Sequence, residues 1–146
     1  MERYTVGIYF KNNLTEIALI LKNRPEWQNN KFNFPGGHIE SNERNFDCIV
    51  REFFEECNIS SKEEDWTHIG VIINSNKYYV DIFTAIYNKS HGELKTMEDQ
   101  PVYWCNINNL PNNTISNVEW LIHFAKNYIQ QGNKDNLSFG LFNYKD

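Results

Sequence analysis

Apolar side chains fall into two kinds of run along the chain. Residues 4–10 (YTVGIYF) and 16–22 (EIALILK) are rich in β-branched and aromatic residues and flank the turn signal KNNLT, which predicts two strands joined as a hairpin. A polar loop, KNRPEWQNN, and a short extended piece, KFNF, lead into Pro35-Gly36-Gly37. The period then changes. Phe46, Ile49, Val50, Phe53 and Cys57 recur at helical spacing, which predicts a helix over residues 43–57 with Ser41 or Asn42 as its N-cap. Three strand-like segments follow, at residues 66–73, 77–87 and 102–107. A second helix is predicted over residues 116–132. Val118, Leu121, Ile122, Ala125 and Ile129 form its apolar stripe, Ser116 with Glu119 a capping box, and Gly132 its stop. In the tail, LSFGLF reads as a short docking strand. Strands before, between and after two helices predict an α/β fold with a mixed sheet, and 146 residues without repeat or linker suit one domain spanning residues 1–146.

Composition narrows the class. The chain is 40% hydrophobic and 15% aromatic, as a globular domain is. A net charge of −5 argues against non-specific binding to duplex nucleic acid. No apolar run approaches the length of a membrane span, no leader pattern opens the chain, and a cytoplasmic location is expected. The three cysteines, Cys48, Cys57 and Cys105, are odd in number and lack a CxxC spacing, so neither a disulfide framework nor a zinc site is expected. The four histidines are scattered. Only His38, beside the glycines, has a prospect beyond a structural or surface role.

The first predicted helix carries a charge problem. Glu52, Glu55 and Glu56 stand at i, i+3 and i+4 and share one face, opposite Phe53 and Cys57. Clustered carboxylates repel one another unless a cation sits among them, and oxygen donors suit Mg²⁺ or Mn²⁺. The plain alternative is a solvated acidic face. Arg51 weighs against it, because Asp47, Arg51 and Glu55 are spaced by four and the arginine can brace the carboxylates. Gly36 and Gly37 add a backbone that can bend sharply and be approached closely, which can bring a carbonyl beside the acidic face.

Taken together, residues 37–59 resemble the Nudix box, G-x5-E-x7-R-E-U-x-E-E-x-G-U, with U a bulky apolar residue. Gly37 takes the glycine, Glu43 the first glutamate, Arg51 and Glu52 the RE pair, Phe53 the first U, Glu55 and Glu56 the EE pair, and Ile59 the last U. Asn58 stands where the family has glycine. Asparagine is the best substitute in the left-handed conformation usual just past a helix.

The resemblance implies an α/β/α sandwich and a Mg²⁺- or Mn²⁺-dependent hydrolase of a nucleoside diphosphate linked to another moiety. It implies that Glu52, Glu55, Glu56 and the Gly36 carbonyl hold metal, that Arg51 orients Glu52, and that Glu43 supports loop and helix. Family members differ in their general base. Here Glu93, Glu98 and Asp99 are on offer, and Glu98 is the expectation. Arg24, Lys31, Phe32, Tyr79 and Asn117 are the expected substrate contacts. Lys22 is a further cation near the loop, and Trp27, Tyr78, Phe83 and Trp104 are further aromatics, most of them expected in the core. A nucleoside or deoxynucleoside triphosphate is the expected substrate. ADP-ribose-cleaving members carry a proline roughly fifteen residues past the box, where this chain has Asn74. Dinucleoside polyphosphates stay open as substrates because Tyr78 and Tyr79 fall near a tyrosine those enzymes carry. ADP-ribose, a nucleotide sugar, and a non-catalytic nucleotide sensor are the remaining alternatives. The oligomeric state, a homodimer among the options, is left open.

Overall fold

The computed structural model describes residues 1–132 and 139–144. The strands are β1 (Glu2–Phe10), β2 (Glu16–Leu21), β3 (Phe32–Asn33), β4 (Gly36–His38), β5 (Thr67–Asn74), β6 (Tyr78–Ile86), β7 (Val102–Asn106) and β8 (Gly140–Tyr144), and the helices are α1 (Asn45–Cys57) and α2 (Val118–Gln131). The strands form one mixed sheet with the central order β3-β2-β1-β6-β5-β8. β1 is its axis. Along one edge it runs parallel to β6 over its whole length. Its other edge is shared: β4 pairs antiparallel around Thr5, and β2 meets it at Phe10. β2 carries β7 along its far edge and β3 on the edge it shares with β1, so that Ile20 pairs with Val102 on one side and Asn33 on the other, and β5 joins β6 to β8.

Side chains alternate across this sheet, and the interior strands are apolar on both faces. Ile8, Phe10, Ile17, Leu19 and Ile82 point to one core with Leu121, Ile122 and Ala125 of α2. Tyr9, Ala18, Ile20 and Phe83 point to the other with Ile49, Phe53 and Cys57 of α1. The result is the sandwich that the sequence implied, with one helix on each face. Among the described residues no helix is long and apolar enough to cross a membrane.

Local details differ from the sequence reading at three places. α1 begins at Asn45 rather than Glu43. Arg44 is its N-cap, its side chain pairing with Glu63 rather than capping the helix, and Asn42 instead takes a positive φ of 65° in the approach. The capping box of Ser116 and Glu119 does not form, since Asn117 occupies the cap in a helical conformation and its side chain makes no capping bond. The Pro-Gly-Gly stretch, read as a loop, includes the short strand β4. The docking strand expected in the tail is β8, parallel to β5; Leu137 and Ser138 of that expectation lie outside the described residues.

α1 ends as Asn58 predicts. Its φ of 64° and ψ of 19° are left-handed, and its N–H donates to the Phe53 and Phe54 carbonyls. A β-branched residue resists this conformation, so Asn58→Val should lose about 1 kcal/mol or more in denaturant unfolding.

Candidate active site

Two elements make the candidate site: the acidic face of α1 and the Gly36–Gly37 strand that β1 holds beside it. The helix periodicity that buries Ile49, Phe53 and Cys57 leaves Glu52 and Glu56 turned toward that strand. Their burial is graded. Glu56 is 6% exposed, the Glu52 side chain 14%, and the Glu55 side chain 46%.

Both glycines are dictated by close approach. A Cβ at Gly37 would lie 2.4 Å from Glu52 Oε1. Gly36 has a φ of 154°, and a Cβ there would lie 2.1 Å from the Thr5 carbonyl oxygen. With no side chain in the way, the Gly36 N–H donates to Glu56 Oε1 at 3.0 Å.

Arg51 is the hub of the upper half of the site. Its Nε donates to Glu43 at 2.7 Å, one guanidinium nitrogen reaches Glu52 at 3.0 Å and Glu55 at 3.3 Å, and the other reaches the His38 carbonyl at 3.1 Å. The arginine therefore ties the approach to β4, the helix and two of the three glutamates together. Its bonds hold the Glu43 carboxyl below its ordinary range. The sequence spacing placed Asp47 in this network. In the structure Asp47 faces Arg44 at 3.9 Å, and Glu43 takes its place.

The deeper half lacks such support. Burial, followed by the charge of Glu52, pushes the Glu56 carboxyl up to about 8. Burial also raises Glu52, against the pull of Arg51. Lys22 is lowered by its own burial, and the Glu56 charge works against that fall. The surroundings do not offset two charges in so buried a place, so Glu56 holds its proton until a cation compensates its ionisation. The donors are all oxygen, which fits a hard divalent ion such as Mg²⁺. Among the described residues no three acidic, histidine or cysteine side chains converge on one point, because Glu52 and Glu55 are turned to Arg51 and Glu56 to Gly36. Glu55 is exposed and held by one bond of 3.3 Å, from Arg51.

A cleft of about 320 Å³ opens from Gly36 and Gly37 along the sheet face. Lys22, Trp27, Tyr78, Asn117, Leu121 and Tyr144 line it. Of the substrate contacts expected from sequence, the structure brings only Asn117 to this cleft. Arg24 is engaged with Asp99 at 3.0 Å, and Lys31 and Phe32 are not on the cleft wall. Phe32 packs edge-on against Tyr103. Tyr79 points to the opposite sheet face, under Arg3, because strand alternation gives its place in the cleft to Tyr78. Phe83 is fully buried, and Trp104 stacks on Tyr9 in the core. Tyr144 was not foreseen. It comes from β8, and a tail aromatic gives no sign in sequence of where its strand will dock. Glu98 stands on the loop between β6 and β7, where its charge adds to the rise of Glu52 and Glu56 that burial begins.

The Glu56 carboxyl sets a pH dependence in chelated protein. It sits at about 8 when folded and near 4.5 otherwise, so the folded chain binds its proton more tightly. The contribution to stability is complete at low pH and is lost as pH rises through 8. Each pK unit is about 1.4 kcal/mol, so Tm in chelator should fall by several degrees between about pH 6 and pH 9. Glu56→Gln should flatten most of that fall, and Mg²⁺ should oppose it in the unsubstituted chain. An equal fall in Glu56→Gln would contradict the assignment.

A family model described as the NUDIX domain matches residues 1–126. Among solved structures the chain is similar to MutT from a study of Aliivibrio salmonicida and Vibrio cholerae, at 21% identity over 83% of this chain and 94% of that one, with a TM-score of 0.66. It is similar to a mutator MutT protein from Bacillus halodurans at 20% identity, over 99% and 91% of the two chains, with a TM-score of 0.69. A MutT NUDIX hydrolase from Burkholderia pseudomallei shares 18% identity over 84% and 95%, with a TM-score of 0.69. At such identities the likeness is one of fold. No curated protein matches the sequence. Nudix hydrolases act on small nucleotide substrates and generally need divalent metals such as Mg²⁺. With its box residues gathered on α1 and β4 and its family match over most of its length, the chain belongs to the Nudix family and is a hydrolase of phosphoanhydride bonds.

Proposed function

We propose that this chain, acting as one domain, is a Mg²⁺- or Mn²⁺-dependent nucleotide pyrophosphohydrolase that converts a nucleoside or deoxynucleoside triphosphate to the monophosphate and pyrophosphate. One observation carries the reading. Glu56 bonds the Gly36 N–H and Glu52 lies against Gly37, and both glycines line a cleft that holds a lysine and aromatic walls. The glutamate pair is suited to a cation, and the cleft to a nucleotide with a short phosphate tail.

Glu52, Glu55, Glu56 and the Gly36 carbonyl would hold the metal. A bound divalent ion neutralises and aligns phosphate oxygens and makes water a better nucleophile. Arg51 fixes the orientation of Glu52, and Glu43 fixes that of Arg51. Lys22, half-buried on the cleft wall, supplies a positive charge to the phosphate tail. Trp27, Tyr78 and Tyr144 offer ring faces for a base, and Asn117 an amide for its edge. In the reaction a water oxygen bonds to phosphorus and the phosphoanhydride P–O bond breaks. The bond that breaks joins the α- and β-phosphoryl groups, the leaving pyrophosphate or nucleoside monophosphate takes the electron pair, and the proton of the water passes to a carboxylate, for which Glu98 is the choice. Tyr78 on the cleft wall supports dinucleoside polyphosphates as a second substrate class.

Hydrolysis should vanish with chelator and return with Mg²⁺ or Mn²⁺. Glu56→Gln should lower kcat by about 10² or more, the scale of losing a main electrostatic stabiliser, while circular dichroism shows the fold retained. Near-normal turnover by folded Glu56→Gln would sink the proposal. On a substrate panel under one metal condition, kcat/KM for the common triphosphates should exceed that for ADP-ribose. The reverse order would overturn the substrate assignment alone.

A further inference from the structure

We propose that Asn58 is a positioning residue whose side-chain amide registers the loop bearing Glu98 against the end of α1. The inference rests on the reading of Glu98 given above. The family pattern has glycine at this position, which satisfies the left-handed backbone but has no side chain. The amide is thus an addition belonging to this chain, and the backbone conformation does not require it.

The last carbonyls of a helix have no partner within the helix. Here the loop supplies them. The Lys95 N–H donates to the Cys57 carbonyl at 2.9 Å, and the Met97 N–H to the Glu56 carbonyl at 3.4 Å. Two further bonds run the other way: the Asn58 amide donates to the Glu93 carbonyl at 3.1 Å, and the Ser60 N–H to the His91 carbonyl at 2.9 Å. Residues 91, 93, 95 and 97 thus turn their backbone to the helix end in an alternation of two, as extended chain does. The ends of the segment are fixed by buried side chains. His91 shares a 2.6 Å bond with the Tyr9 hydroxyl, and Gln100 accepts from the Asn23 N–H at 3.0 Å. Between them residues 92–99 are exposed, apart from half-buried Leu94. Little apolar burial holds this stretch, so its register depends on the bonds along the helix end together with those of Thr96 to the Val102 N–H and of Asp99 to Asn23 and Arg24. Glu98 follows directly after the longest of them.

The consequence is mechanical. The helix that carries Glu52 and Glu56 and the loop that carries Glu98 are joined by Asn58 at the place where both meet. A displacement of about an ångström at a reacting group costs turnover far more than binding.

Asn58→Gly keeps the backbone conformation and removes the amide. Asn58→Asp keeps the shape but puts an acceptor where a donor is needed. Both should lower kcat by about five- to tenfold with KM within about twofold, and Tm should stay close to that of the unsubstituted chain for Asn58→Gly. Amide hydrogen exchange at Lys95 and Met97 should accelerate in both variants. In a Glu98→Gln background, Asn58→Gly should cost nothing further. Unchanged exchange at Lys95 and Met97, or an equal loss of kcat in the Glu98→Gln background, would overturn the proposal. Full turnover by Glu98→Gln would instead refute the choice of Glu98 as the proton acceptor, while the exchange measurement still decides whether Asn58 anchors the loop.

Discussion

Two carboxylates, Glu52 and Glu56, are held out of water one helical turn apart, and most of the molecule's local design answers that constraint. Removing an ionised carboxylate from water costs several kcal/mol unless charges and hydrogen bonds replace the lost hydration. The chain replaces it unevenly. Glu52 receives the Arg51 guanidinium, whereas Glu56 receives one backbone N–H and a half-buried lysine. With so little to replace its hydration, the Glu56 carboxyl keeps its proton to about pH 8, and a cation is what would let it ionise in place.

The sheet makes the arrangement possible. β4 lies antiparallel on β1, which sets Gly36 and Gly37 opposite Val6 and Thr5 and directly beneath α1. Side chains at these two positions would collide with Glu52 and with the Thr5 backbone. The same helix face cannot be lifted away, since Phe53, fully buried against Tyr9 and Trp66, anchors its other side. Arg51 then spans helix and strand through Glu43 and the His38 carbonyl. Strand pairing, core packing and the salt-bridge network thus converge on one short distance, that between the acidic face and the glycine backbone.

The periodic features of this arrangement were legible in the sequence. The apolar stripe of α1, the acidic face opposite it and the left-handed Asn58 follow from local rules that need no partner. What required the fold was whatever depends on distant chain. Tyr78 and Tyr79 are neighbours in sequence, yet pleating sends only the first to the cleft. Arg24 and Lys22 look equivalent as cations near the loop. Asp99, from the segment between β6 and β7, pairs with the arginine, while the lysine stays within the field of Glu56. The cap of α1 was misplaced because Asn42 is used for a bend rather than a cap, a choice made by the bond of the Glu40 N–H to the Glu43 side chain. Tyr144 reaches the cleft only through the docking of β8 on β5.

The most direct test is calorimetric titration of Mn²⁺ into the chelator-freed protein at about pH 7, in two buffers of different ionisation heat, which separates metal affinity from proton release. Saturable binding with net proton release, both sharply reduced in Glu56→Gln, is the result that a buried, protonated carboxyl awaiting a cation requires. Absence of saturable binding, or the same affinity and proton count in Glu56→Gln, would contradict it.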